Sequence, residues 1–168
     1  CMRVQAPSPL PLRIVMEDSK KPIVAVSGGF DPPTDGQIAM ILDAAKMGDV
    51  VVLLNSDEWC DEKRWTGKCF LPWERRRRIL MEVPGVKAVW EVDDKDGTVC
   101  SALRELKPDY FGNGADRTVE NTPEVALCKE LGTGTLWFLG SEVTAQTKEI
   151  RAQAIQNAYM GENTQFHY

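Results

Sequence analysis

One histidine, His167, stands in 168 residues, and it lies next to the last position. A lone imidazole there removes His-based triads and most His acid–base schemes from consideration. The five cysteines (Cys1, Cys60, Cys69, Cys100 and Cys128) include no C-x-x-C pair. Zinc takes about four N or S ligands at short spacing, so no resident metal site is expected, and the thiols read as reduced, buried small hydrophobes. No apolar run approaches the ~20 residues that span a bilayer, so a membrane protein is not expected. Residues 1–21 hold three prolines and no continuous apolar stretch of the kind a secretory signal needs. The expectation is a cytoplasmic protein. Basic excess is missing too: 20 Lys and Arg face 25 Asp and Glu, for a net charge of −5. Nucleic-acid binding rests largely on phosphate neutralisation, so nucleic acid is not the expected partner. A local basic cluster still leaves room for a small phosphorylated ligand.

What is present is ordinary globular material, 43% hydrophobic and 27% charged. The length suits one domain, which buries roughly 70% of its unfolded surface. Residues 1–21 read as a Pro-containing extension, 22–160 as the domain and 161–168 as a tail. Within the domain, Ile23–Ser27 is a short β-branched run ending at Gly28-Gly29. Ile38, Ile41, Leu42 and Ala45 then recur at helical spacing up to Gly48. Val50–Leu54 is a second apolar run, followed by polar residues that read as a loop through Lys63 and Arg64. A helix is predicted over Trp73–Met81, with Glu74 and Arg78 paired at i, i+4. Val86–Val92 reads as a strand, Val99–Leu106 as a helix, and Tyr110-Phe111 as a brief strand opening into Gly112-Asn113-Gly114. Thr122-Pro123-Glu124 reads as an N-cap, a proline at the first helical position and an acidic first turn. Thr135–Leu139 is the last strand and Lys148–Tyr159 the last helix. Unbroken apolar strands alternating with helices predict an α/β fold: one doubly wound, Rossmann-like parallel sheet of about five strands, with ligands at the strands' carboxyl ends.

The first such end is Gly28-Gly29-Phe30-Asp31-Pro32-Pro33-Thr34-Asp35-Gly36-Gln37. Glycines at a strand-to-helix elbow let backbone approach a ligand, and the following helix start offers amides to an anion. A tight turn whose glycines serve geometry alone would give the same pair. The stretch is neither G-x-G-x-x-G nor a Walker loop.

These residues resemble the signature G-x-F-D-x-x-H-x-G-H of the cytidylyltransferase-like nucleotidyltransferases, a family that includes glycerol-3-phosphate cytidylyltransferase and the adenylyltransferase half of ADP-heptose synthase. The resemblance runs to about residue 150. It takes in Gly48-Asp49, Asn55-Ser56-Asp57, Lys63 and Gly67, Pro72-Trp73-Glu74-Arg75-Arg76, and Lys107-Pro108-Asp109 followed by Asn113-Gly114-Ala115-Asp116. It departs at the histidines, where this chain has Thr34-Asp35-Gly36-Gln37. The serine- and threonine-rich turn that opens the family's last helix is reduced to Val143-Thr144-Ala145-Gln146-Thr147-Lys148.

The resemblance implies transfer of a cytidylyl or adenylyl group from CTP or ATP, with Mg²⁺, to a sugar- or alcohol-phosphate, releasing pyrophosphate. The implied catalytic residues are Lys63, with Lys68 as the alternative in another register, Gln37 and Thr34. The implied nucleotide-binding residues are Gly28, Gly29, Phe30, Asp31, Gly36, Arg76, Asn113, Gly114, Asp116 and Thr147. Arg117 lies beside them. Such proteins commonly pair, so a homodimer is implied as well. Thr34 is short, Gln37 is neutral, and Asp35 at a helix start repels phosphate unless it points outward or caps the helix. A nucleotide-binding relative without turnover is therefore the alternative expectation.

Overall fold

The computed structural model describes residues 21–164, with side chains through residue 160. The extension expected over 1–21 and the tail over 161–168, His167 included, otherwise lie outside the described residues.

Six consecutive buried residues make β2 (Asp49–Leu54), a strand with no face left for water. Such a strand must sit inside a sheet covered on both sides. It pairs with β1 (Ile23–Gly28) and β3 (Val86–Glu91), while β4 (Tyr110–Gly114) and β5 (Gly134–Leu139) continue beyond β1. The order is β3-β2-β1-β4-β5, and every pairing is parallel. Six helices accompany the strands: α1 (Asp35–Ala45), α2 (Asp57–Lys63), α3 (Trp73–Met81), α4 (Cys100–Leu106), α5 (Glu124–Leu131) and α6 (Ser141–Thr164). The expected doubly wound sheet is the observed one. Its strand order reverses between β1 and β4, which places the ligand crevice at the carboxyl ends around β1.

The strand period of two sorts the core into two layers. Val24, Val26, Val50, Val52 and Leu54 pack against Ile41 and Ala44 of α1 and Leu80 of α3. Ala25, Val51 and Leu53 pack against Leu103 and Leu106 of α4 and Leu127 and Cys128 of α5. Each such Val or Leu stabilises the fold by about 1.5–3 kcal/mol. Burial pushes the Cys60 and Cys128 thiols up to about 11, so both stay protonated and inert at neutral pH.

Four local expectations are corrected. The stretch after β2 is a helix, because Ser56 Oγ accepts from Trp59 N at 3.1 Å and acidic Asp57 and Glu58 fill the first turn. Helix α6 begins at Ser141 rather than Lys148, turned out of β5 by Gly140 at φ +67°. Thr122 does not cap α5 with its side chain; its hydroxyl donates to Asn121 Oδ1, and Pro123 holds the cap position. Among the described residues, Glu74 and Arg78 form no ion pair; the guanidinium that matters on α3 is Arg76.

Arg76 is fully buried. Its Nε donates to Leu71 O at 2.9 Å, its Nη1 to Gly29 O at 2.7 Å and Asn55 O at 2.9 Å, and its Nη2 to Asp57 Oδ1 at 2.6 Å. One side chain thus joins the β1–α1 elbow, the β2–α2 turn and the segment entering α3. Asp31 completes the joint from the elbow side. Its carboxylate accepts from Phe70 N and Leu71 N at 2.8 and 2.7 Å and faces Arg64 Nε at 3.5 Å.

The start of α6 lies directly on the start of α1. A Cβ on Gly140 would stand 2.5 Å from Met40 N and 2.8 Å from Gly36 O, so only glycine fits there. Asp43 of α1 accepts from Gly140 N at 2.7 Å, and Asp35 accepts from the Thr147 hydroxyl. The Gly140 amide, then the Lys46 ammonium at 3.0 Å, hold the Asp43 carboxyl below the usual carboxylate range.

Two outcomes follow for stability. Arg76→Ala strips three carbonyls of their donor and is expected to lose about 3–5 kcal/mol in urea unfolding. Arg76→Lys should recover little, since one ammonium cannot reach the same points; a loss below about 1 kcal/mol would refute the brace. For Asp43 the folded pKa is lowered, so its contribution is present above the ordinary carboxylate pKa of 3.8 and disappears as pH falls through the lower folded value. Asp43→Asn should be slightly less stable than the parent at pH ~6, by under about 1 kcal/mol after solvent screening, and the two unfolding midpoints should converge near pH ~2.

Candidate functional site

At the elbow, the glycines are explained by close neighbours. A Cβ at Gly28 would meet the Phe30 ring at 3.0 Å, and one at Gly29 would meet Cys60 Sγ and the Trp59 ring, both at 3.1 Å. Phe30 itself is buried at φ +48°, its ring turned into the core beneath α1. The next amides are used by the chain's own side chains. Gln37 N donates to Thr34 Oγ1 at 3.3 Å, while Thr34 N donates to Gln37 Oε1 at 3.0 Å, a reciprocal capping box. Gly36 N donates to Asp35 Oδ1 at 2.8 Å. Asp35 is exposed, and the Thr147 hydroxyl, with the Gly36 amide, lowers its pKa. A Cβ on Gly36 would strike Thr144 Oγ1, so α6 covers this side. The helix start expected to cradle a triphosphate is, in this structure, capped by a carboxylate and a hydroxyl.

Beyond the elbow, a cleft of about 190 Å³ opens at the carboxyl ends of β1 and β2. Ser27 and Asn55 close the strand ends, and Trp59 and Lys63 of α2 form one wall. Gly97 and Val99 form the floor towards α4, and the β4–α5 connection supplies the opposite wall through Arg117, Asn121 and Glu124. Lys63 is exposed, its Nζ 5.2 Å from the centre of the Trp59 ring. The α2 wall is fixed from behind. Asp94, buried at the end of β3, accepts from Asn55 Nδ2 and Ser56 N, both at 2.9 Å, and from Ser56 Oγ at 2.6 Å. The opposite wall is tied chiefly to itself: Thr118 N donates to Asn121 Oδ1 at 2.8 Å and Asn121 Nδ2 to Asp116 O at 3.2 Å.

Charge decides which hollow can take a phosphate. A larger hollow of about 640 Å³ is lined by Glu58, Glu62, Glu91, Asp93 and Asp94 against Lys95 alone, and repels anions. A groove of about 570 Å³ beside Arg75, Arg77 and Arg78 runs along the outer face of α3. Of these three, the 190 Å³ cleft joins strand ends to two cations, Lys63 and Arg117, with one carboxylate, Glu124.

Of the residues implied as catalytic or nucleotide-binding, Lys63 alone lines this cleft; Asn55, part of the wider resemblance, and Arg117, noted beside them, line it too. Thr34, Gln37, Gly36 and Thr147 meet instead at the α1–α6 contact. Gly28, Gly29, Phe30, Asp31 and Arg76 build the elbow joint. Asn113 is buried within the sheet, its Nδ2 donating to Phe111 O at 3.4 Å and Leu136 O at 3.3 Å. Gly114 follows it near Met40, and Asp116 is exposed on the connecting loop. Lys68, the alternative to Lys63, is exposed and outside the cleft lining. Sequence reading passed over Ser27, Trp59, Asn121 and Glu124 as site residues; Glu124 looks like an acidic first turn, and its inward course has no local signature. Among the described residues no three Cys, His, Asp or Glu side chains converge on a point that could hold a metal ion. Nor is any described helix long and apolar enough to cross a membrane.

Comparison with known proteins places this architecture. The model of the cytidylyltransferase-like family matches residues 25–156. The bifunctional protein HldE of Streptomyces coelicolor is 35% identical over 111 residues, covering 66% of this chain and 24% of that protein. The protein of the same name from Pseudomonas fluorescens is 28% identical over 134 residues, covering 77% and 28%. The chain thus spans about a quarter of the length of these relatives. A lipopolysaccharide core biosynthesis protein from Thermoplasma volcanium shares the fold, with a TM-score of 0.55 and 22% identity over 69% of this chain and 93% of its own. Sheet order, elbow and family match agree, and the chain belongs to the cytidylyltransferase-like family.

Proposed function

We propose that this chain is a nucleotidyltransferase that passes the cytidylyl or adenylyl group of CTP or ATP to a sugar- or alcohol-phosphate. The observation that carries the reading is the meeting of Lys63 and Arg117 at the carboxyl ends of β1 and β2, two cations in one cleft of a chain with net charge −5. In the reaction an acceptor phosphate oxygen attacks the α-phosphorus, the bond from that phosphorus to the β-bridging oxygen breaks, and pyrophosphate leaves. No covalent enzyme intermediate is needed, so the step demands no nucleophilic side chain. Positioning and electrostatics supply most of such a rate. The nucleotide enters as its magnesium chelate, with the ion carried on substrate phosphates and water. Lys63 neutralises the α-phosphate region at the cleft mouth, and Asp116 and its neighbours face the nucleoside.

A second reading, nucleotide binding without turnover, is favoured by one specific observation. Thr34 and Gln37 are bound to each other, and Asp35 occupies the Gly36 amide, so the α1 start offers the leaving pyrophosphate little. Removing one preorganised donor at a developing anion costs ~10²–10³ in rate.

A screen of the four nucleoside triphosphates, each with and without candidate phosphosugars, decides between these readings. CTP or ATP at ~100 times its dissociation constant should add ~2.7 kcal/mol to unfolding stability, and pyrophosphate should appear only with the acceptor present. Lys63→Ala should lower that rate by ~10²–10³ with little change in melting temperature. Binding without pyrophosphate selects the second reading, and neither signal with any nucleotide sinks both.

A further inference from the structure

Helix α6 outruns the body that supports it. Its first turns lie on α1: Gly140 packs against Met40, Thr144 against Gly36, and the Thr147 hydroxyl donates to Asp35, the first residue of α1. Val143, Thr144 and Thr147 are accordingly half-buried. From Lys148 to Met160 every residue is exposed, and the helix runs on to Thr164. At about 1.5 Å per residue the overhang is about 25 Å long. A lone helical stretch of that length is marginal in water, because most helix stability in proteins comes from packing an apolar face.

The overhang has such a face. The helical period carries the stripe that leaves α1 at Thr144 and Thr147 on through Ile150, Arg151, Ala154, Ile155 and Ala158. Ile150 and Ile155 are 69% and 72% exposed. The other side is polar, with Gln156 beside Gln153 and Asn157, and Gln153 Nε2 donates to Asn157 Oδ1 at 2.8 Å. A lipid surface is a poor match, because interfacial helices keep their cations on the polar side, whereas Arg151 sits within the apolar stripe.

Size and charge single out a copy of the same helix. Two overhangs laid antiparallel about Ala154 set Ile150 of one chain opposite Ala158 of the other, large against small. Ala154 then meets Ala154, where the axes come closest. Lys148, Glu149 and Arg151 lie opposite Met160, Tyr159 and Asn157 of the other chain, so no charge meets its like. A parallel pair would instead set Lys148 on Lys148 and Arg151 on Arg151.

We propose that the overhanging half of α6 is the surface on which a second copy of this chain docks, the two helices packing antiparallel about a two-fold axis at Ala154. One face of such a helix removes roughly a few hundred Å² per chain from water, below the ~800 Å² of a standard interface. The pair therefore forms at roughly micromolar concentration, and the overhang gains order as it forms. This surface is read from α6 alone and holds or fails independently of the nucleotidyltransferase reading.

The test is sedimentation equilibrium of the whole chain, without nucleotide, from about 1 to about 100 µM, with far-UV circular dichroism on the same samples. Across that range the parent should pass from the mass of one chain to that of two, its helical signal rising in step. Ala154→Arg sets two guanidinium groups against each other at the axis and should weaken pairing at least about tenfold. Because Ala154 is exposed, its melting temperature at the lowest concentration should match the parent's. Ile150→Lys should weaken pairing likewise from the edge of the stripe, whereas Gln156→Arg, on the polar side, should pair as the parent does. A parent that stays single at the highest concentration overturns the proposal, and cosedimentation with phosphatidylglycerol vesicles would then give the stripe to lipid. A pair that both stripe variants leave intact puts the interface elsewhere and overturns it too. Pyrophosphate release judges the nucleotidyltransferase reading separately.

Discussion

The Arg76 guanidinium is the constraint on which the ligand-facing edge depends. Strand carboxyl ends are where an α/β sheet stops satisfying its own carbonyls, and at β1 and β2 the loops take over. Gly29 O and Asn55 O, one from each loop, converge on Nη1, while Leu71 O on Nε brings in the approach to α3. A buried cation is expensive unless its donors are engaged, and four of the five here are. The expense is offset by making three separate loops one unit. Asp31 adds two backbone acceptances on the same segment, so the elbow is closed by charged side chains that hold backbone as well as one another, Arg76 with Asp57 and Arg64 with Asp31.

Positions that resemble a nucleotide-binding signature also make contacts that hold the edge together. Thr34 and Gln37 face each other, Asp35 faces Gly36 and Thr147, and Arg76 faces carbonyls. The positive charge lining the cleft is that of Lys63, the lysine the resemblance implies, at the end of α2, and of Arg117 after β4. The helix start and the cleft are chemically opposite surfaces, one presenting a carboxylate and the other two cations.

How much of this was legible depended on whether a feature is local. Five strands and their parallel arrangement follow from runs such as Val50–Leu54, which can exist only between two covered faces. The capping box at Thr34-x-x-Gln37 is also spelled in the chain, as a threonine three residues before a glutamine; the family resemblance drew the reading towards phosphate instead. Helix α2 was missed because its seven residues are mostly charged and carry no apolar stripe, though Ser56-Asp57-Glu58 marks its start. In the run Arg75–Arg78 the resemblance picked out Arg76, but no local pattern says that its side chain turns inward while its neighbours do not. Glu124 was opaque for the same reason: an acidic residue after a proline looks like any first-turn carboxylate, and only the meeting of α4, α5 and the β4–α5 connection buries it.

The two flanks of the cleft differ in mechanical character. The α2 flank is bolted through Asp94 to β3 and through Arg76 to β1, so it behaves as an anvil. The segment from Asp116 to Asn121 is hydrogen-bonded largely within itself and meets the body through Arg117, whose N donates to Gly114 O at 3.3 Å and whose guanidinium faces Glu124 at 3.8 Å.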